Sequence, residues 1–179
     1  MKLVFVRHGQ TDWNKTKKLM GRTDIELNDE GRAQAAEVVK MLSADFDALY
    51  SSPLKRAYQT AEAISEHFHK PIIVKEELTE RDFGTLSGKS WAEIEDQTKI
   101  DMKTITKAEQ YDFRPYGGES AEQVKARLLR FLDELKTKPY SKVVTVCHSG
   151  IISMMRHVYP NNETAHITNT SINEFEFVV

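Results

Sequence analysis

Cysteine and long apolar runs are nearly absent from this chain of 179 residues. Its one cysteine, Cys147, excludes an internal disulfide and a zinc site built from several cysteines. The longest uninterrupted apolar run, residues 3–6, is too short for a transmembrane helix or for the core of a secretory signal peptide. With only 5 prolines and 8 glycines, the composition is not that of a disordered or fibrous protein. We therefore predict a cytoplasmic globular protein with no membrane partner.

Net charge is also small, because 25 Lys and Arg residues stand against 27 Asp and Glu residues, giving −2. This balance argues against nucleic-acid binding through a generally basic surface. The charges are nevertheless uneven: residues 1–22 hold six basic side chains and one acid, whereas residues 23–50 hold seven acids and two basic side chains. A basic stretch of this kind suggests a local site for a small anion, with a solvated loop as the alternative.

Short apolar segments alternate with amphipathic ones along the chain. The segments that read as strands are residues 3–6, 47–51, 72–74, 142–147 and 171–179. No linker or internal repeat separates them, so we expect a single domain over residues 1–179. The alternation of strands and helices predicts the α/β class, as a three-layer sandwich with a mostly parallel central sheet flanked by helices.

Helix starts are predicted from capping residues. Asn28 is expected to cap one helix, Ser52 to cap the next with Pro53 in its first position, and Ser149 to cap another. A further helix is predicted after the Gly117-Gly118 break, and residues 90–110 look helical but weakly amphipathic.

Two familiar phosphate-binding motifs are approached but not matched. Residues 84–90 look like a P-loop, yet three residues rather than four separate the glycines. Cys147 closes a strand as in the cysteine phosphatases, but Ser153 stands where their Cys-x5-Arg motif requires arginine. Cys147 is therefore predicted to be a small buried residue. Since no spacing typical of metal ligands occurs, we expect no metal and no other cofactor.

Reactive or charged side chains follow four of the predicted strands. Arg7 and His8 come directly after the first, Arg56 lies just beyond the second, Glu80 follows the third and His148 ends the fourth. Because the carboxyl ends of parallel strands meet at one edge of a sheet, we expect these side chains to converge. The guanidinium forks and nearby helix N-termini suit phosphate oxygens, which predicts a phosphate site built without metal.

With their neighbours, these residues resemble the histidine phosphatase superfamily, the group that contains cofactor-dependent phosphoglycerate mutases and small bacterial phosphatases. The matching segments span nearly the whole chain in order: LVFVRHGQTDWN at 3–14, GRTDIELNDEG at 21–31, SSPLKRA at 51–57, ERDFG at 80–84, GGES at 117–120 and VCHSG at 146–150. The resemblance implies a phosphoglycerate mutase-like fold and a small bacterial phosphatase type.

The resemblance also implies a role for each residue at the strand ends. His8 would be the nucleophile that becomes transiently phosphorylated, and cationic neighbours would keep its ring neutral and reactive. Arg7, Arg56 and His148 would bind the transferring phosphoryl group. Glu80 would protonate the leaving group and then take a proton from the attacking water.

Further positions are implied to contact the substrate, namely Gly9, Thr11, Asn14, Gly21, Arg81 and Ser149. Thr11 and Asn14 would contact phosphoryl oxygens or orient His8, and Arg81 would reach the non-phosphoryl end. Ser149 departs from the family, in which Gly-Gly or Gly-Asn often follows the histidine. Trp13 is interpreted as a packing residue, and Glu119 as an acid in the first turn of a helix rather than a catalyst.

We expect metal-independent hydrolysis of small phosphomonoesters, with a small phosphorylated metabolite as the partner. A phosphoglycerate mutase is the alternative, but the mutases carry an arginine pair in a segment that corresponds to residues 90–116, which we interpret as a substrate-specificity insert. Here that segment has Lys99, Lys103, Lys107 and Arg114 and no such pair. A non-catalytic phosphate-binding protein on the same fold is a second alternative. A monomer and a homodimer both stay open.

Overall fold

A five-stranded sheet forms the centre of the protein in the computed structural model, which describes residues 1–98, 110–160 and 166–177. The strands are β1 (Lys2–Arg7), β2 (Ala48–Ser51), β3 (Ile72–Val74), β4 (Lys142–Cys147) and β5 (Ile172–Glu176). They lie in the order β3-β2-β4-β1-β5. The first four pair in parallel and β5 runs antiparallel beside β1, which confirms the mostly parallel sheet.

Helices connect and cover the strands. In the described part of the chain they are α1 (Asp12–Lys15), α2 (Asp29–Met41), α3 (Lys55–Phe68), α4 (Trp91–Thr98), α5 (Ala121–Lys136) and α6 (Ser149–Val158). Three short 3-10 turns span Glu76–Leu78, Gly84–Leu86 and Arg114–Tyr116. None of these described helices combines the length and the apolar character needed to cross a bilayer.

Each face of the sheet buries its own apolar cluster, because successive side chains of a strand point to opposite faces. On β1, Val4 packs with residues of α2 and α3, such as Val38 and Ile64. Phe5 packs on the other face with residues of α5 and α6, including Leu128. Helices therefore cover both faces, which confirms the three-layer sandwich and leaves the carboxyl ends of the parallel strands at one edge.

Two of the predicted helix starts are wrong. Helix α3 begins at Lys55 with Leu54 at its N-cap, because the Ser52 N–H still bonds to Val146 O of the sheet at 3.0 Å. Ser149 is the first residue of α6 rather than its cap, a position that His148 takes without a side-chain capping bond. The cap at Asn28 is confirmed, since its side chain accepts from Gly31 N.

The predicted helix over residues 90–110 is observed for its first part, where α4 covers Trp91–Thr98. Residues 99–109, with Lys99, Lys103 and Lys107 of the predicted specificity insert, lie outside the described residues. The same holds for residues 178–179 at the end of the predicted fifth strand.

Candidate active site

A cavity of about 360 Å³ opens at the carboxyl ends of the parallel strands. Its lining includes four of the side chains predicted to converge, Arg7, His8, Arg56 and Glu80. The fifth, His148, is fully buried beside His8, with the centroids of the two rings 5.1 Å apart. The fold therefore brings together residues that are up to 141 positions apart in the sequence.

The His8 side chain is almost completely buried and has a fixed orientation. Its Nδ1 lies 2.7 Å from the carbonyl oxygen of Gly9, which can only accept a hydrogen bond. In the neutral ring the proton is therefore on Nδ1, and Nε2 keeps its lone pair. Burial lowers the pKa of His8 well below its usual value, and Arg56 and Arg7 lower it further. The sequence argument named only the cationic neighbours, whereas burial is the larger cause.

His148 is also held as a neutral ring. Burial is the main cause that lowers its pKa well below the usual value, and Arg56 and His8 add to the effect. Its Nε2 lies 2.8 Å from Ser52 Oγ, the hydroxyl that the sequence had assigned to a helix cap. Serine therefore orients this ring from the neighbouring strand end.

Arg56 is fully buried and anchored by two backbone carbonyls. Its Nη1 donates to Thr23 O at 2.8 Å and its Nη2 to Gly21 O at 2.7 Å. Gly21 has φ +51°, a backbone conformation that favours glycine. Burial lowers the pKa of Arg56 to about 10, so the guanidinium keeps its charge at neutral pH.

Four buried nitrogen atoms around the cavity have no hydrogen-bond partner among the described residues, namely Arg7 Nε, Arg56 Nε, Arg81 Nε and His148 Nδ1. Buried polar atoms are almost always satisfied, since an unmade hydrogen bond costs about 1 to 3 kcal/mol. Three of the four belong to cationic side chains that line the cavity. An anion with several oxygen atoms, such as a phosphoryl group, suits this arrangement.

Glu80 is the buried carboxylate of the site and rests against the N-terminus of α6. Its Oε1 accepts from Arg81 N at 2.9 Å, and its Oε2 accepts from Gly150 N at 3.1 Å and from Ser149 Oγ at 3.4 Å. A Cβ at position 150 would collide with this carboxylate. The first turn of α6 therefore binds the carboxylate of Glu80, and the Ser149 hydroxyl that departs from the family pattern contributes to that contact.

The predicted substrate contacts divide into two groups. Four of them, Asn14, Gly21, Arg81 and Ser149, line the cavity. Gly9 and Thr11 are buried and are not part of the lining. The Gly9 N–H donates to Thr60 Oγ1, and Thr11 Oγ1 caps α1 by accepting from Asn14 N. These bonds support the loop that carries His8, and a substrate contact at Gly9 or Thr11 stays a prediction.

Several cavity residues were missed by sequence reasoning. Trp13, interpreted as a packing residue, packs against Gly88 and also lines the cavity. Lys17 and Lys18 line it as well, and the basic charge of the first 22 residues was the signal that pointed to them. Trp91 of α4 belongs to residues 90–116, the predicted specificity insert, but it was not singled out, because a tryptophan in an amphipathic segment is usually a packing residue.

Glu119 is not in the first turn of a helix, contrary to the sequence interpretation. The N-cap of α5 is Ser120, which places Glu119 before the helix. Its carboxylate pairs with Arg127 and Arg22 and accepts a hydrogen bond from Asp82 N. The presence of a carboxylate at this position is therefore explained by its ion pairs with Arg127 and Arg22 in a partly buried setting, and not by the helix dipole.

The donor set around the cavity is rich in nitrogen cations and poor in metal ligands. Within the residues that the structure describes, no group of three or more His, Cys, Asp or Glu side chains is placed to hold a metal ion. Cys147 is buried, as predicted, and burial raises the pKa of its thiol well above the usual value.

Two buried neutral histidines predict that stability depends on pH. Because the folded-state pKa values of His8 and His148 lie well below 6.5, the unfolded chain binds protons more readily. The free energy of unfolding is therefore highest above pH 6.5 and decreases as the pH falls towards the folded-state pKa values. The decrease is up to about 1.4 kcal/mol per pH unit for each histidine. Urea unfolding between about pH 7.5 and about pH 5 measures this slope. In His8→Asn the slope should be shallower, and an unchanged slope would contradict the burial of a neutral His8.

The sequence and the fold are similar to those of proteins named as phosphatases and as phosphoglycerate mutase-like. A model of the histidine phosphatase superfamily (branch 1) matches residues 3–178. Phosphoglycerate mutase-like protein 4 of Arabidopsis thaliana is 34% identical, over 97% of this chain and 78% of its own. The uncharacterized phosphatase PhoE of Bacillus subtilis is 34% identical, over 98% of this chain and 88% of its own. The structure of mycobacterial glucosyl-3-phosphoglycerate phosphatase in complex with VO3 matches with a TM-score of 0.85 at 28% identity, covering 97% of this chain and 91% of that one.

Proposed function

This chain belongs to the histidine phosphatase superfamily, and on that premise we propose that it is a metal-independent phosphatase acting on small phosphomonoesters through a phosphohistidine at His8. Relatives named as phosphatases support the hydrolysis of a phosphoester. The observation that carries the finer proposal is the set of four buried, unpartnered nitrogen atoms around the cavity that His8 lines, together with the unprotonated Nε2 of His8. The same cavity thus holds a nucleophilic nitrogen atom and N–H donors that can bind the phosphoryl group that this nitrogen would attack.

In the first step, Nε2 of His8 attacks the phosphorus atom as the bond from phosphorus to the leaving oxygen breaks. Arg7 and Arg56 balance the charge on the equatorial oxygens, and Nδ1 of His148 adds a donor. Glu80, protonated for this step, gives its proton to the leaving oxygen. The products are a phosphohistidine and a free alcohol.

In the second step, water attacks the phosphorus atom and the bond between Nε2 and phosphorus breaks. The carboxylate of Glu80 takes the proton of the water, so Glu80 ends the cycle in the protonated form with which it began. Inorganic phosphate leaves, and His8 regains its lone pair. The bond from Nδ1 of His8 to the Gly9 carbonyl is kept throughout, which holds the ring in line with the phosphoryl group.

The substrate class that we propose is a small phosphorylated metabolite. A cavity of about 360 Å³ is in the range of small-molecule sites, and its lining of Arg7, His8 and Arg56 suits a compact phosphoester. The mycobacterial relative, by its name, acts on glucosyl-3-phosphoglycerate, which is a small molecule of this kind.

A phosphoglycerate mutase is the second candidate, because the same residues could transfer the phosphoryl group from His8 to a second hydroxyl instead of water. The similarity to a phosphoglycerate mutase-like protein of Arabidopsis thaliana favours it. Within residues 90–116 the sequence has no adjacent pair of arginines, which favours water as the acceptor.

Phosphate release from a panel of phosphomonoesters, measured with EDTA present, tests the proposal. The panel includes 3-phosphoglycerate, with formation of 2-phosphoglycerate followed in parallel. We expect phosphate release that is insensitive to EDTA and exceeds isomerisation. Faster isomerisation would favour the mutase, and binding of phosphate with no turnover of any panel member would favour a non-catalytic phosphate-binding protein.

A further inference from the structure

A partly buried ion pair, between Arg127 and Glu119, lies behind the segment that carries Glu80. Arg127 of α5 has an exposed fraction of only 5%, and its Nε and Nη2 donate to the two carboxylate oxygens of Glu119 at 3.0 and 3.1 Å. Its Nη1 donates to the carbonyls of Glu77 and Thr79, both at 2.7 Å. One guanidinium therefore joins the carboxylate to the backbone just before Glu80.

Glu119 holds the same segment from its other end. Its Oε2 accepts from Asp82 N at 2.9 Å, and its own N–H donates to Asp82 O at 3.0 Å. Residues 80–83 belong to neither a helix nor a strand, so no regular hydrogen-bond ladder fixes them. Glu80 lies between two anchors, Thr79 and Asp82, which Arg127 and Glu119 hold.

The carboxylate of Glu119 also reaches the loop that anchors Arg56. Arg22 Nη2 donates to Glu119 Oε1 at 2.9 Å. The two carbonyls that hold Arg56 belong to the residues on either side of Arg22, Gly21 and Thr23. The network therefore connects the segment of Glu80 with the loop behind the phosphate-binding arginine.

We propose, on the basis of the function proposed above, that Arg127 and Glu119 are positioning residues that hold Glu80 where it can protonate the leaving group. Neither residue lines the cavity, so neither is expected to contact the substrate. A buried ion pair adds little net stability because desolvation offsets its attraction, and its best-attested use is to fix a geometry. Here the conformation to be fixed is that of residues 80–83, which lie outside every helix and strand.

Glu119→Gln tests this proposal because both carboxylate oxygens accept from N–H donors. Oε1 accepts from Arg22 and Arg127, and Oε2 from Arg127 and Asp82. The amide group of glutamine must therefore place an N–H against another N–H donor, whichever way it is turned. The substitution keeps the size of the side chain but breaks the contacts on one side of the carboxylate, either those to Arg22 and Arg127 Nε or those to Asp82 and Arg127 Nη2.

The readout is kcat/KM for two aryl phosphates. Phenoxide is a poor leaving group that needs a proton from Glu80, whereas 2,4-dinitrophenoxide leaves without one. Since misplacing a catalytic group by about 1 Å can cost about 100-fold, we expect kcat/KM for phenyl phosphate to fall about 10- to 100-fold in Glu119→Gln. For 2,4-dinitrophenyl phosphate the fall should stay within about threefold, since general acid catalysis is not used.

Matched variants separate positioning from general damage. Glu134→Gln removes the partner of Lys75 in another partly buried ion pair, next to the 3-10 turn Glu76–Leu78 that contains Glu77. Because this pair makes no bond to residues 79–82, the variant should leave kcat/KM unchanged for both substrates. Arg127→Lys keeps the positive charge but loses the planar guanidinium with its several N–H donors. It should therefore also lower kcat/KM for phenyl phosphate more than for 2,4-dinitrophenyl phosphate. If thermal unfolding shows that Glu119→Gln is not folded, the comparison of the two substrates with Arg127→Lys tests the proposal in its place.

Equal losses on both substrates, or no loss on either, would overturn the positioning role. Failure of the proposed function would look different: His8→Asn, with Glu119 and Arg127 intact, would turn over 2,4-dinitrophenyl phosphate as fast as the parent protein does.

Discussion

Replacing His8 with asparagine is expected to lower kcat/KM for phosphate release by a factor on the order of 10⁴ or more, since removal of a catalytic nucleophile leaves only binding and electrostatic effects. The asparagine amide can still reach towards the Gly9 carbonyl, but it supplies no lone pair at the position of Nε2. The arginines and His148 would still hold a phosphoryl group, so inorganic phosphate should still bind.

His67→Asn is the matched control for this prediction. His67 is an exposed residue on α3 that does not line the cavity, so the same chemical change there should leave kcat/KM unaltered. Thermal unfolding of both variants shows whether each is folded. A folded His8→Asn variant that retains more than about a tenth of the parent activity would contradict the nucleophilic role.

Glu80→Gln is expected to have the next largest effect. The amide keeps the shape of the side chain but has no acidic proton to give, and general acid catalysis contributes about 10² to 10⁴ in rate. We therefore expect a loss of that size in kcat/KM for phenyl phosphate. For 2,4-dinitrophenyl phosphate the loss should be much smaller, because the leaving group needs no proton.

The leaving-group dependence makes this prediction specific to the acid role. Glu66→Gln, which changes an exposed glutamate of α3, should reproduce the parent rates on both substrates. The prediction is wrong if Glu80→Gln slows both aryl phosphates by the same factor, since loss of a bound conformation rather than loss of a proton would then explain the result.

The convergence of Arg7, His8, Arg56, Glu80 and His148 could be predicted from the sequence alone. The strands were recognisable as short apolar segments, and parallel strands place their carboxyl ends at one edge whatever the details of the loops. Residues directly after a strand are thus located by topology. The histidine phosphatase pattern, which covers nearly the whole chain, added an expected role for each side chain.

The network behind Glu80 could not be predicted. Arg127 lies among the apolar residues of α5, and a single arginine in a helix is usually solvated. Its contacts with Glu77 and Thr79 join positions about 50 residues apart, through a loop whose path no local pattern determines. Glu119 was misread for the same reason, because its partners come from three separate segments of the chain.

The helix starts at Ser52 and Ser149 were mispredicted because a serine hydroxyl has several uses. A serine before a helical segment usually caps it, but the Ser149 hydroxyl contacts Glu80, and the Ser52 hydroxyl contacts His148 as well as Leu54 N at 3.3 Å. Side-chain contacts within the site therefore outweighed the preference of serine for the N-cap position, and such exceptions are expected at functional sites.

Identification of the phosphorylated atom tests the central claim most directly. The protein is mixed with 2,4-dinitrophenyl phosphate, quenched in alkali within its first turnover to preserve a phosphohistidine, digested and analysed by mass spectrometry and by NMR of the labelled peptide. Because Nδ1 of His8 donates to the Gly9 carbonyl, the phosphoryl group should be found on Nε2 of His8 and should be absent from His8→Asn. A phosphoryl group on His148, on another residue or on Nδ1 of His8 would contradict the account.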